Sequence, residues 1–90
     1  MKIAKFDIYN QITGKVIYTN LSGEKADSLI ARDLLWCLRD CRSDRARELL
    51  GVGFPYRRKE VGDEGYPATQ KMIEAWAEFK KLNDIANDLG

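Results

Sequence analysis

The sequence contains no histidine. That removes the side chain which most often serves as general base, as metal ligand and as partner to a nucleophilic serine or cysteine. It has only two cysteines, Cys37 and Cys41. Four residues apart, they share one face of a helix. A zinc site would need two more ligands, and no second cysteine pair supplies them. A disulfide between such positions does not fit a regular helix. Both read as small apolar core residues. No apolar run approaches the ~18 residues of a membrane span. The opening MKIAKFD places an acid at Asp7 and no apolar run behind its lysines, unlike a signal peptide. Reduced cysteines then imply a cytoplasmic setting.

The glycine motifs are incomplete as well. Gly14-Lys15 lacks the preceding glycine and the following Ser/Thr of a phosphate loop. Gly51-Val52-Gly53 lacks the third glycine and the helix start of a dinucleotide fingerprint. Asp63 and Glu64 have no carboxylate that can be placed opposite them, so a glycosidase-like acid pair cannot be argued. The expectation is a chain without cofactor or metal that is not an enzyme.

What is present is enough for one small domain spanning residues 1–90. Apolar residues make up 44% and charged residues 32%, a globular balance. The net charge of +1 is unevenly spread. Residues 39–59 carry seven basic against three acidic side chains, and residues 60–90 carry three basic against seven acidic. All seven arginines lie between positions 32 and 58. Such asymmetry marks either a partner surface or two segments that face each other.

KIAKFDIY and KVIYTNL are rich in β-branched and aromatic residues, and Asn10-Gln11-Ile12-Thr13-Gly14 between them is a hairpin signal. Asn10 can cap the turn and Gly14 can supply its left-handed residue. Ser22 then offers an N-cap for a helix running to about Cys41. On a wheel, Ala26, Ile30, Leu34, Cys37, Leu38 and Cys41 form one apolar arc, widened by Ala31 and Leu35. Leu29 and Trp36 form a second stripe, with Trp36 flanked by Arg32 and Arg39 and by Asp33 and Asp40. The pattern breaks at 42–43, since Ser43 and Asp44 prefer a cap; a short helix follows from Asp44 to Leu50, with Gly51 past its end. Residues 51–67 hold both prolines and read as a long loop, in which Tyr56 to Val61 can form a short strand. A last helix opens near Pro67 and runs to about Leu89. The fold class is α+β: an N-terminal β-hairpin packed on a long central helix, a short second helix, a long loop and a C-terminal helix.

FDIYNQITGKVIYTNLSG followed by a helix resembles the hairpin-and-helix leader that precedes the repeats in some bacterial and phage pentapeptide-repeat proteins. The likeness covers about residues 6–40. The repeats themselves are absent, so it implies a stand-alone hairpin–helix unit and transfers no activity.

Two surfaces are candidates. One is the Trp36 stripe with Arg32 and Arg39, since Trp and Arg dominate interface hot spots. The other is Phe54-Pro55-Tyr56-Arg57-Arg58-Lys59. Its aromatics and cations suit a protein partner. With Arg42, Arg45 and Arg47 they also suit bases and phosphates, although the pI of 7.7 lies below that of dedicated nucleic-acid binders. The expected function is a small non-catalytic protein-binding module. In size and chemical bareness it resembles phage- or mobile-element-encoded inhibitors of host defence complexes, such as anti-CRISPR proteins. Nucleic-acid binding through Arg42, Arg45, Arg47, Arg57, Arg58 and Lys59 is the alternative. No membrane partner is expected, and an exposed hairpin edge can pair two copies.

Overall fold

The computed structural model describes residues 3–83. The chain runs β1 (Phe6–Asn10), β2 (Val16–Leu21), α1 (Gly23–Arg39), α2 (Asp44–Gly53), β3 (Tyr56–Glu60) and α3 (Gln70–Leu82). It is an α+β fold with a three-stranded antiparallel sheet of order β2-β1-β3.

The β1–β2 turn forms as its residues predict. Asn10 Oδ1 accepts from the backbone N–H of Ile12 at 2.8 Å and of Thr13 at 3.2 Å. Gly14 takes φ 78°, a conformation glycine adopts without steric cost. β2 is irregular. Its register against β1 shifts twice, and Asn20 sits at φ 59° with its N–H donating to the buried Asp7 carboxylate at 3.0 Å. Irregularities of this kind bend and twist the strand that carries them.

Directly paired residues share a side of the sheet. Ile8 with Arg58, and Asn10 with Tyr56, face the helices, whereas Asp7 with Lys59, and Tyr9 with Arg57, face away. The helical side holds the core: Ile8, Ala26, Leu29, Ala46, Leu49, Leu50, Phe54, Tyr56, Ala75, Trp76 and Phe79. At its centre Trp76 stacks on Phe79 with ring centroids 5.2 Å apart, and Phe54 and Tyr56 each meet Trp76 edge-on at 6.3 Å. Such pairs add to the burial they bring.

Four expectations change. α1 ends at Arg39, capped by Asp40, short of Cys41. α2 runs past Gly51 to Gly53. Glycine disfavours a helix, but here it permits contact: a Cβ on Gly53 would lie 2.6 Å from the Trp76 backbone nitrogen. Tertiary packing overrides propensity. The long loop therefore shrinks, because α2 takes its start and β3 its middle. α3 opens at Gln70, capped by Thr69, three residues beyond the expected opening near Pro67. The expected run to Leu89 falls partly on residues 84–90, outside those described.

Residues 61–69 cross the outer face of the sheet. Tyr66 N–H donates to the Tyr9 hydroxyl at 2.9 Å, Gln11 Nε2 donates to the Tyr66 carbonyl at 3.1 Å, and Ala68 N–H donates to the Gln11 carbonyl at 3.0 Å. Gly65 lies flat on the Tyr9 ring; an added Cβ would be 2.7 Å from Tyr9 Cζ. This strap covers Tyr9, which is buried on the outer face of the sheet.

Candidate protein-contact surface

α1 is the element that decides the site. Ser22 caps it through Oγ, which accepts from the Lys25 N–H at 3.1 Å. Ala26 and Leu29 are its buried residues, so the expected core arc extends to Leu29. Leu29 belongs to the interior, not to a stripe shared with Trp36. Leu38, expected in the core, is exposed, while Ile30, Leu34, Cys37 and Cys41 are partly buried against the core. The reason is reach. The sheet meets α1 near its start, and α3 packs on α2 rather than on α1. The second half of α1 therefore keeps one side open.

That side carries Leu35 at 60% and Trp36 at 57% exposure, with Leu38 alongside. The Arg39 guanidinium carbon sits 5.4 Å from the Trp36 ring centroid, within cation–π range. Arg32 is exposed one turn earlier. Leu35, expected to widen the core arc, is exposed instead. A wheel gives the arcs of a helix but not which arc is covered.

The interior-facing edge of the same helix is apolar enough to shift two groups. Burial, aided by the Asp33, Cys41 and Asp40 charges, pushes the Cys37 thiol up to about 11. Burial also raises Asp33, against the pull of Arg32. Cys41 Sγ donates to the Cys37 carbonyl at 3.2 Å, and burial raises its thiol too. Raised thiols are poor nucleophiles and poor ligands. Among the described residues, no group of three or more potential ligands is placed to hold a metal.

The second candidate surface does not survive as one surface. Phe54 and Tyr56 are 7% and 3% exposed. They are corrected from partner-binding to core residues, because the α2–β3 junction turns both rings into the aromatic cluster with Trp76. Arg58 bridges elements: Nη1 donates to Asp27 Oδ2 at 3.1 Å and to the Gly23 carbonyl at 3.2 Å, and its guanidinium lies 4.6 Å from the Phe6 ring centroid. Arg57 Nε donates to Gln11 Oε1 at 3.3 Å, and Lys59 Nζ donates to the Asp63 carbonyl. On α2, Arg45 pairs with Glu78 at 3.2 Å and with Glu48 at 3.6 Å, and Arg47 pairs with Asp44 at 3.6 Å. Arg42 is exposed, with its N–H donating to Asn83 Oδ1 at 3.2 Å.

The six cations of the nucleic-acid reading therefore do not converge. Arg57 and Lys59 share the outer side of the sheet with Tyr9 and Asp7, whereas α2 lies on the helical side. A hollow of about 470 Å³ beside the strap is lined by Tyr9, Lys59, Asp63 and Tyr66 among others. Lys59 there is already engaged by the strap. Among the described residues, no helix is long and apolar enough to cross a membrane.

Compared with known proteins, the chain matches no family model, no curated protein and no solved structure.

Proposed function

We propose that this chain is a small non-catalytic protein-binding module that works by occupying a partner's surface. Its contact face is the exposed side of α1, with Trp36 at the centre and Arg32 and Arg39 beside it. The setting we propose is cytoplasmic, as a phage- or mobile-element-encoded inhibitor of a host defence complex, in the manner of anti-CRISPR proteins.

The observation that carries the reading is the exposure of Leu35 and Trp36 side by side on one helix. Large apolar side chains grouped on an open face mark contact sites. Aromatic anchors with arginine are the residue types that dominate binding energy. Leaving Trp36 in water forgoes about 1.5–3 kcal/mol of burial, which a partner would recover.

The test is affinity capture from bacterial lysate with the full chain and with a Trp36→Ala/Arg39→Ala variant. Neither side chain serves the core, so the variant is expected to fold with unchanged circular dichroism and to lose the partner. A folded variant that keeps every captured protein overturns the assignment of this face.

A further inference from the structure

Lys25, Arg32 and Arg39 recur every seven residues along α1 and are all exposed. At ~100° per residue they fall within about 40° of one another. Three arginines on other elements behave differently. Arg45 and Arg47 on α2 and Arg58 on β3 all lie within ion-pair distance of a carboxylate. Among the described residues, none of the three α1 cations does. These three cations border the side of α1 that exposes Leu35 and Trp36.

We infer that this face binds an acidic, amphipathic segment of another protein. The inference rests on the reading of α1 as the contact face and names the chemistry of what it contacts. Arg32 and Arg39 stand ~10.5 Å apart along the helix, from its rise of 1.5 Å per residue. The complementary segment carries carboxylates at about that spacing, seven residues apart if helical, with an apolar side chain between them to meet Leu35 and Trp36. Complementary charge of this kind sets partner choice and on-rate.

A second copy of this chain is the wrong occupant. Around the helix, Arg32 and Arg39 lie between Leu35 and Trp36. A twofold contact presents the same patch from both sides, so pairing this stripe with itself opposes arginine to arginine. Nucleic acid is also disfavoured, since phosphates offer nothing to Leu35 and Leu38.

The experiment is selection from a random-peptide display library against the full chain, and in parallel against an Arg32→Glu/Arg39→Glu variant. Enriched peptides synthesised singly are then titrated by fluorescence anisotropy. The expected result is enrichment of Asp and Glu around aliphatic or aromatic residues. The double variant should bind those peptides about tenfold or more weakly and should itself enrich lysine- and arginine-rich sequences. That gain cannot arise from misfolding. Several results overturn the inference: no enrichment, enrichment without acidic excess, equal binding by the variant, or tighter charge-dependent binding of a 20-base-pair DNA duplex. So does a dimer by sedimentation that dissociates in Leu35→Glu, or peptide binding that appears only when residues 84–90 are removed. If charge reversal has no effect but Trp36→Ala/Arg39→Ala still loses a captured protein, the chemistry named here fails and the contact face stands. If that variant loses nothing, the face itself fails.

Discussion

Cys37 shows how a single residue reports its surroundings. Its thiol is half-buried beside Asp33 and Asp40, and its pKa stands at about 11, above the ordinary value of about 8.5. The unfolded chain thus gives up this proton at lower pH than the folded one. The sign follows: the contribution is whole below about pH 8.5 and is lost as pH rises toward 11. Thermal midpoints should fall across that window, and Cys37→Ser should flatten the fall relative to the parent. A variant whose pH profile matches the parent's would show that the thiol does not feel its burial. The sequence placed Cys37 in the apolar arc correctly. It could not show that neighbouring carboxylates raise it further, because that depends on how α1 is seated.

The elements are fixed by a few close approaches. Gly51 and Gly53 are two residues apart in α2, and the sequence treats them alike. The structure does not. Nothing lies within 4 Å of a Cβ added at Gly51, whereas at Gly53 it meets the Trp76 nitrogen at 2.6 Å and the Met72 carbonyl oxygen at 3.0 Å. Gly51→Ala should therefore stabilise by about 0.5–1 kcal/mol, the helix cost of glycine. Gly53→Ala should destabilise by about 1–3 kcal/mol as α2 and α3 are forced apart. Urea unfolding of both variants checks the pair, and equal effects would contradict the packing. The caps at Ser22 and Ser43 and the turn at Asn10 were legible because they are local chemistry. The end of α2 was not, because what holds it is α3, seventeen residues further on.

At the scale of the molecule, the two tryptophans divide the labour. Trp76 is 5% exposed in the aromatic centre, and Trp36 is 57% exposed on α1. Trp76→Ala should cost about 3–5 kcal/mol, close to the whole stability of a chain this size. Trp36→Ala should change stability by less than about 0.5 kcal/mol, while removing the contact proposed for it. Denaturant midpoints together with partner capture separate the two roles. The charge asymmetry also resolves at this scale. The basic middle meets the acidic C-terminal part through Arg45 and Glu78, while Lys25, Arg32 and Arg39 stay exposed along α1.

The sequence by itself determined the α+β class, the hairpin turn and a break between the first two helices. Each is a matter of residue type or of spacing within a few positions. It also singled out Trp36, Arg32 and Arg39, since a helix with two apolar arcs is visible in periodicity. Only the tertiary structure decided which arc is covered. α3 packs on α2, so Leu29 is buried while Leu35 and Trp36 are open. The same packing turns Phe54 and Tyr56 inward, although their neighbours in sequence had suggested a surface. Periodicity records where a helix is apolar; the partner that buries it comes from a distant part of the chain, and no local pattern carries that information.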